Sequence, residues 1–265
     1  MAVSLGQALS FMPGMQTTPP ATLPKRAVFK SLITTASTPE VVEAIFELAA
    51  GRMGSYVCFA NVHMLMEADG DAGFQQILNQ ADLALPDGAP VALYLQRRYK
   101  QPQARQPGMD LLPLLLAEAA VRQKSVCFYG GAPHVLAALQ ARIAAELPTL
   151  KVVGAISPPY RALTAGEQAA YLDQINQADP DLLFVALGCP KQERWMAAHK
   201  GTIKACMLGV GQAFLTYAGL ERRLPPALRK LPVEWLYRLL LEPRRLFKRY
   251  AITNSRFIWK VLRGH

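Results

Sequence analysis

The sequence predicts an α/β fold in which a mostly parallel β-sheet is covered by helices on both faces. Short apolar runs rich in β-branched residues alternate with longer stretches of helical period, the order that a parallel sheet with crossover helices requires. Apolar residues make up 51% of the 265 residues and charged residues 18%, so the chain can bury a sizeable core. Unusual polar residues follow several runs, where sheets of this kind bind ligands.

Seven apolar runs are predicted strands. They are Val28–Ile33, Tyr56–Ala60, Leu83–Leu85, Ser125–Tyr129, Val152–Ile156, Leu182–Leu187 and Lys204–Gly209. Six stretches between them carry Ala, Leu, Gln and Glu at helical spacing. These predicted helices are Pro39–Ala50, His63–Asn79, Leu111–Arg122, Pro133–Leu147, Ala165–Gln177 and Gln192–Lys200.

Positive charge is concentrated at the C-terminal end of the chain. Residues 221–265 hold 12 Lys and Arg against 3 acidic residues, whereas residues 1–220 are nearly neutral. After a proline-rich linker, the apolar and basic pattern of Glu234–Arg263 predicts an amphipathic helix kinked at Pro243. Such a helix either packs on the core or lies on an anionic membrane surface, and the density of basic residues favours the membrane.

The remaining composition predicts a cytoplasmic protein without a membrane span. No apolar stretch reaches the roughly 18 residues that a transmembrane helix needs. Residues 1–27 lack the pattern of a signal peptide and are predicted to form a flexible arm. The four cysteines are scattered singly and predict buried free thiols. Neither they nor the four histidines have the spacing of metal ligands, so no metal site and no cofactor is predicted.

Two polar residues follow the second and third predicted strands. Asn61 precedes a helix, so it either caps that helix or directs its amide at a ligand. Asp87 lies in a Pro-Asp-Gly-Ala-Pro turn. An aspartate there is either a turn or N-cap residue, or a general base that takes the proton of an attacking hydroxyl.

Candidate phosphate-binding groups come next along the chain. Arg105 precedes Gly108 and Asp110, so its guanidinium can bind phosphate while Asp110 caps the Leu-rich helix. Gly130 and Gly131 join a strand to a helix, where backbone N–H groups can approach a phosphate. They are not part of a GxGxxG motif and no Walker lysine follows, so dinucleotide and P-loop sites are disfavoured.

The most unusual run follows the sixth predicted strand and reads Gly-Cys-Pro-Lys-Gln-Glu. Proline suits the first turn of a helix, but a lysine beside it opposes the helix dipole. This favours a ligand-facing role for Lys191, Gln192 and Glu193 over simple capping. Gly209 and Gly211, at the end of the last predicted strand, offer a second place for close approach of the backbone to a ligand.

In this order, the motifs resemble those of the WecG/TagA/CpsF family, glycosyltransferase family 26, from about residue 28 to about residue 260. The matching segments are the Asn61 turn, Pro86-Asp87-Gly88, Arg105 with Gly108 and Asp110, Phe128–Gly131, Gly188–Glu193, Gly209–Gly211, Glu234–Arg238 and Glu242–Arg245. The resemblance implies a Rossmann-like fold with a membrane-targeting appendage. The expected division is a flexible arm at 1–27, a catalytic domain at 28–220 and a basic appendage at 221–265.

The resemblance also implies the chemistry. Members are inverting, metal-independent enzymes that form β-linkages on polyprenyl-diphosphate-linked sugars. It makes Asp87 the expected catalytic base and places Arg238, Arg245 and Lys248 at the lipid diphosphate, with Arg105 as a further candidate. The expected donor-binding residues are Asn61, Gly130, Gly131, Lys191, Gln192, Glu193, Gly209 and Gly211.

Departures from the family pattern leave the donor sugar open. Phe59 stands where the family usually has threonine, and Gln212 and Leu215 stand where it has glycine and aspartate. The expected donor is a UDP-sugar carrying glucose, N-acetylmannosamine or its uronic acid, for exopolysaccharide or cell-surface glycan synthesis. The other expected partners are a polyprenyl-diphosphate-linked sugar acceptor and an anionic surface at the inner face of the plasma membrane. Homo-oligomerisation stays an open alternative.

Three rival functions account for fewer of these features. A nucleic-acid-binding protein would use the basic tail but leave the strand-end motifs unexplained, so no nucleic acid partner is expected. A nucleotide-dependent oxidoreductase would carry GxGxxG with an acidic residue about 20 positions on. A noncatalytic nucleotide- or membrane-binding adaptor is the remaining alternative, and it leaves Asp87 without a role.

Overall fold

The computed structural model of the protein describes residues 23–221, 239 and 243–263. Its largest sheet has six parallel strands: β3 (Tyr56–Ala60), β4 (Leu83–Pro86), β5 (Ser125–Gly130), β6 (Lys151–Ile156), β7 (Leu182–Ala186) and β8 (Cys206–Leu208). The strand order across this sheet is β4-β3-β8-β7-β5-β6. A separate antiparallel hairpin consists of β1 (Lys25–Val28) and β2 (Ser31–Thr34).

Helices connect the strands. They are α1 (Thr38–Gly51), α2 (Val62–Gly70), α3 (Ala72–Gln80), α4 (Ala89–Tyr99), α5 (Gly108–Val121), α6 (Pro133–Glu146), α7 (Ala165–Ala178), α8 (Lys191–Ala198), α9 (Ala213–Tyr217) and α10 (Pro243–Leu262). Strand β3 shows that helices cover both faces of the sheet. Its side chains alternate between two hydrophobic clusters, with Val57 and Phe59 in one and Tyr56, Cys58 and Ala60 in the other. Helices α1 and α5 pack in the first cluster and α2, α3 and α8 in the second, which confirms the predicted fold class.

The path of the chain defines where a ligand can bind. It passes from β3 outward to β4 at one edge of the sheet, and then crosses to β5 on the other side. Strands β7 and β8 later fill the space between β5 and β3. Because all six strands are parallel, their carboxyl ends lie at one edge of the sheet. In sheets of this kind, ligands bind at that edge, near the point where the chain switches from one side of the sheet to the other.

The N-terminal strand differs from the prediction. The prediction of a single strand over Val28–Ile33 was wrong, because the chain turns back at Phe29, whose φ of 56° lies in the left-handed region. The Phe29 ring packs on Tyr94 and Phe257 with centroids 5.4 Å away in both pairs, which stabilises the turn. Residues 25–27 of the predicted flexible arm therefore belong to β1.

Other predicted elements differ in number or in length. The single helix predicted over His63–Asn79 is two helices, because Asp71 ends α2 and caps α3 by accepting a 2.9 Å hydrogen bond from the Phe74 N–H. The last strand, β8, is shorter than the predicted Lys204–Gly209. Helix α4 is not among the six predicted helices, although the N-cap interpretation of Asp87 implied a helix there, and α9 has no predicted counterpart.

Helix α10 is the described part of the predicted tail helix, together with residue 239. It begins at Pro243, so the predicted kink there involves residues outside the described ones. Phe257 is buried against Phe29 and Tyr94, and α10 packs along α2. Across residues 23–221 and 243–263, no helix combines the length and the apolar composition needed to cross a bilayer. Residues 1–22 of the predicted arm are also outside the described part.

Candidate active site

Asn61 and Asp87 lie side by side at the carboxyl ends of two neighbouring strands. The Asn61 amide Nδ2 donates a 3.1 Å hydrogen bond to Oδ2 of Asp87. The Asn61 Oδ1 atom accepts a 3.1 Å bond from the Met64 N–H and so caps α2. The interpretation of Asn61 as a helix cap is therefore confirmed, and its amide nitrogen is directed at Asp87, while contact with a ligand stays a prediction. Gly88 occupies the N-cap position of α4, so that position does not account for Asp87.

The loop that carries Arg105 is fastened beside Asp87. The backbone N–H of Gln106 donates a 2.7 Å bond to the carbonyl of Pro86, the last residue of β4. The buried Gln106 side chain donates a 2.8 Å bond to the carbonyl of Ala36. Arg105 lies 3.9 Å from Asp110 in the first turn of α5, with part of its side chain exposed. The loop that carries this guanidinium is thereby held next to the strand end that precedes Asp87.

Gly130 and Gly131 have a packing role that the sequence did not reveal. Gly130 has a φ of +105°, and a Cβ atom there would lie 2.4 Å from the carbonyl oxygen of Ala186 in the neighbouring strand β7. The N–H of Gly131 donates a 3.1 Å bond to the same carbonyl. Because this N–H is hydrogen-bonded within the protein, it is not available to bind a donor phosphate, and the predicted contact of Gly131 with the donor would have to use other atoms.

Gln192 and Glu193 point into the protein rather than toward solvent. Gln192 is 4% exposed and Glu193 is 0% exposed. The Gln192 Nε2 atom donates 2.7 Å bonds to Oε1 of Glu193 and to the carbonyl of Gly209, and its Oε1 accepts a 3.2 Å bond from the Gly188 N–H. These bonds join the loop after β7 to the loop after β8. Both side chains were predicted to face a ligand. The local sequence contains no signal that distinguishes an inward from an outward orientation of these side chains.

The Glu193 carboxyl has an unusual environment. Burial raises its pKa to about 7, although hydrogen bonds from Gln192, from backbone and from the Cys189 thiol favour the charged form. Its Oε2 atom has no hydrogen-bond partner among the described residues. A buried, half-satisfied carboxyl is costly, and such groups tend to occur where function requires them.

Lys191, by contrast, is exposed at the start of α8. Its ammonium lies 5.3 Å from the centre of the Tyr160 ring, and Tyr160 is 99% exposed on the loop after β6. Tyr160 is not among the predicted site residues, although an aromatic residue in a Pro-Pro-Tyr turn shortly after a strand is a signal that could have identified it. A cation and an aromatic face are thus available where the strands end. Gly211 follows β8 with a φ of +53°, and its N–H donates a 3.2 Å bond to the Val185 carbonyl.

The basic residues predicted at an acceptor diphosphate are described only in part. Arg238 lies outside the described residues, and Arg245 and Lys248 are in α10, where only their backbone is described. Nearer the end of α10, Lys260 pairs with Asp69 of α2 at 2.8 Å and Arg256 lies 3.7 Å from the same carboxylate. Exposed apolar side chains also line α10: Phe247, Ile252, Ile258, Trp259 and Leu262.

Asp69 and Asp71 have the D-x-D spacing with which two carboxylates can bind a divalent cation, but they lie away from the strand ends. Asn61 begins α2 and Asp69 is in its last turn, about 12 Å along the axis. Asp69 pairs with the C-terminal helix, and Asp71 caps α3 and accepts a 2.7 Å bond from Arg194. Both carboxylates therefore have structural partners. Within the described ranges, no group of three or more His, Cys, Asp or Glu side chains has the arrangement of a metal site.

The family model for the glycosyl transferase WecG/TagA/CpsF family matches residues 26–265. The chain belongs to this family. Its members are glycosyltransferases, so the predicted enzyme class is confirmed.

Several curated members of this family are similar over most of the chain. The relative from Bacillus spizizenii is 31% identical over 79% of this chain and 79% of its own length, and that from Bacillus subtilis is 29% identical over 76% and 79%. A relative from Staphylococcus aureus is 29% identical over 79% of this chain and 80% of its own length. All three are named N-acetylglucosaminyldiphosphoundecaprenol N-acetyl-beta-D-mannosaminyltransferases.

Proposed function

We propose that the protein is an inverting glycosyltransferase that transfers a sugar from a UDP-sugar to a sugar carried on a polyprenyl diphosphate. The observation that carries this proposal is the hydrogen-bonded pair of Asn61 and Asp87 at the carboxyl edge of the sheet. A carboxylate at this edge, held by a neighbouring amide, is suited to take a proton from an acceptor hydroxyl. The names of the curated relatives support an acceptor in which N-acetylglucosamine is linked to undecaprenyl diphosphate.

In the proposed reaction Asp87 accepts the proton as the acceptor hydroxyl attacks the anomeric carbon of the donor. The carbon–oxygen bond to the nucleoside diphosphate breaks on the opposite face, so the configuration at the anomeric carbon inverts. Asn61 donates to one carboxylate oxygen and orients the other toward the hydroxyl. A general base of this kind contributes roughly 10²–10⁴-fold to the rate.

The leaving nucleoside diphosphate requires positive charge, which the chain's own residues supply in this proposal. Lys191 lies at the end of the loop after β7 and Arg105 lies in the loop bonded to the end of β4, and basic residues of the C-terminal segment add to them. Charge-assisted hydrogen bonds to phosphate are among the stronger polar contacts in proteins. The uridine base has an exposed aromatic face available at Tyr160. The reaction therefore proceeds without a divalent cation.

The C-terminal segment places the enzyme at the membrane that holds its acceptor. Phe247, Ile258 and Leu262 are exposed along α10, and basic residues flank them. Apolar side chains enter the acyl boundary while Lys and Arg contact anionic headgroups, each worth about 1 kcal/mol near the surface. The division into a catalytic domain at 28–220 and an appendage at 221–265 is part of this proposal, with the enzyme peripheral on the cytoplasmic face.

The test is sugar transfer to a synthetic undecaprenyl-diphosphate N-acetylglucosamine in anionic vesicles with EDTA present. UDP-glucose, UDP-N-acetylmannosamine and its uronic acid are compared as donors. We expect one donor to give product with a β-linkage, which NMR of the product identifies. An α-linkage contradicts inversion, a requirement for added Mg²⁺ contradicts metal independence, and no product with any donor favours the noncatalytic adaptor.

A further inference from the structure

The buried Glu193 has no part in the proposed reaction, and its placement needs a reason. It lies in the first turn of α8, where acidic side chains usually face solvent and the helix dipole. Its side chain is fully buried instead, and one of its two carboxyl oxygens has no partner within the described part of the chain. Burying a carboxyl in this way opposes folding. Because it is buried, Glu193 acts through a neighbour rather than on a substrate.

That neighbour is Gln192, whose amide is held from three sides. Its Oε1 accepts from the Gly188 N–H, and its two Nε2 hydrogens go to the Gly209 carbonyl and to Glu193. Gly188 belongs to the loop after β7 and Gly209 to the loop after β8. A single buried side chain thus spans the two loops, and Glu193 accepts the hydrogen that neither loop accepts.

The loop after β8 packs tightly on this amide. A Cβ atom on Gly209 would lie 2.7 Å from Cε of Met196 and 3.1 Å from Nε2 of Gln192, and one on Gly211 would lie 3.4 Å from Oε1 of Gln192. A shift of the Gln192 side chain therefore moves the backbone of this loop. Both loops lie at the carboxyl edge of the sheet, where a nucleotide-sugar binds if the proposed function is correct.

We propose that Glu193 is a positioning residue for the donor site: it holds Gln192 as a buried strut that sets the spacing of the loops after β7 and β8. This rests on the proposed function, because the ligand between these loops is the nucleoside diphosphate of the donor. Removing the carboxyl leaves a buried N–H of Gln192 without an acceptor, and the loops lose their preorganised spacing. Glu193 thus affects donor binding and has no direct effect on the acceptor.

The matched variants are Glu193→Ala, which removes the acceptor of the hydrogen bond, and Glu193→Gln, which keeps an oxygen at that position. The control is Asp181→Ala at the opposite edge of the sheet, where the Asp181 carboxylate accepts bonds from Ser125 and Lys124. This control lowers stability without touching the loops. Binding of UDP alone, measured by calorimetry, and the KM values for donor and acceptor are compared for all four proteins.

We expect Glu193→Ala to weaken UDP binding and raise the donor KM by about tenfold or more, since one unsatisfied buried group is involved. The acceptor KM and kcat should change by less than about threefold, and Glu193→Gln should recover most of the loss. Asp181→Ala should leave both KM values unchanged.

Two results would overturn the positioning role. The first is donor binding unchanged in Glu193→Ala. The second is a parallel loss of donor binding, acceptor binding and kcat in Glu193→Ala and Asp181→Ala, which would show a stability effect alone. If the wild-type protein binds UDP but transfers no sugar, the proposed reaction is wrong. The positioning role of Glu193 is then still tested by the UDP affinities of the variants. Wild-type protein that does not bind UDP would overturn both.

Discussion

The loops at the carboxyl edge of the sheet and the C-terminal helix α10 are attached to the protein by different means. The loops are tied by buried hydrogen bonds through Gln192 and by glycines that leave no room for a side chain. Among the α10 side chains that the structure describes, Phe257 and Thr253 are buried, and Lys260 and Arg256 form ion pairs with Asp69. Several apolar side chains of α10 are exposed to solvent, with Phe247 66% and Leu262 82% exposed.

Under the proposed function, this difference corresponds to two physical tasks. Transfer of a sugar requires groups that are already in place, because reorganising them during the reaction would raise the barrier. Binding to a membrane surface requires apolar area that is not used up in folding. We therefore expect substitutions at the strand ends to affect stability and sugar transfer strongly. Substitutions on α10 should affect membrane binding and leave the rate of sugar transfer nearly unchanged.

The largest expected effect is at Gly130. Gly130→Ala places a Cβ 2.4 Å from the Ala186 carbonyl oxygen at a φ of +105°. We expect a loss of about 3 kcal/mol or more in the free energy of unfolding, from overpacking and backbone strain together. Urea denaturation measures it. The control is Gly166→Ala in α7, where the added Cβ meets no atom of the described chain within 4 Å, and which should raise stability slightly.

The second prediction concerns the dependence of stability on pH. The pKa of Glu193 is raised to about 7, so between about pH 5 and 7 the unfolded chain releases this proton while the folded protein keeps it. This raised pKa makes the folded protein lose stability as pH rises through that window, by up to about 3 kcal/mol. Glu193→Gln should remove this loss, so its stability should fall less between pH 5 and 8.

The groups facing Glu193 do not obscure this measurement. Burial raises the pKa values of the Cys58 and Cys189 thiols, so both stay neutral across the window, and the Gln192 amide does not titrate. Urea denaturation of wild type and Glu193→Gln at several pH values gives the comparison. Equal slopes in the two proteins would show that Glu193 is ionised throughout.

The third prediction separates the two roles of Asn61. Asn61→Ser keeps an oxygen that can cap α2, whereas Asn61→Ala keeps neither the cap nor the hydrogen bond to Asp87. We expect Asn61→Ala to lose about 1–2 kcal/mol of stability and Asn61→Ser much less. Both should lower kcat by about tenfold or more, since the Asp87 carboxylate loses its orienting donor. If Asn61→Ser keeps full activity, Asn61 serves as a cap alone.

The smallest expected effect is at the attachment of α10. Asp69→Asn removes the charge that pairs with Lys260 and Arg256, and should cost about 1 kcal/mol or less. Hydrogen exchange of the α10 amides should rise severalfold while the amides of β3 and β7 stay protected. Asp173→Asn, at an exposed position of α7, is the control and should change neither. Faster exchange in the strands as well would show that α10 is part of the core unit.

Most strands of the parallel sheet could be predicted because a buried apolar run is followed by a glycine or a polar residue. Tyr56–Ala60 has the predicted bounds, and all five of its residues are buried. The hairpin at Phe29 could not be predicted, because a phenylalanine in the left-handed region depends on the distant Tyr94 and Phe257 rings. Tertiary packing overrides local preference there.

The candidate site was predictable in position more than in orientation. Asn61 and Asp87 meet because parallel strands end at one edge, a rule that needs no coordinates. The direction of Gln192 and Glu193 depends on the Gly209 carbonyl, seventeen residues away on another strand end, which no local pattern encodes. Lys191, in the same turn, is exposed, so its predicted role at a ligand stays a prediction that the structure allows.

The most direct test of the central claim is the rate of sugar transfer by Asp87→Asn, with UDP affinity measured on the same protein. The substitution keeps the shape of the side chain and removes its ability to accept a proton. We predict a fall in rate of roughly 10²–10⁴-fold, with UDP affinity within about threefold of wild type. A rate close to that of the wild type would contradict Asp87 as the base and require another proton acceptor at the strand ends.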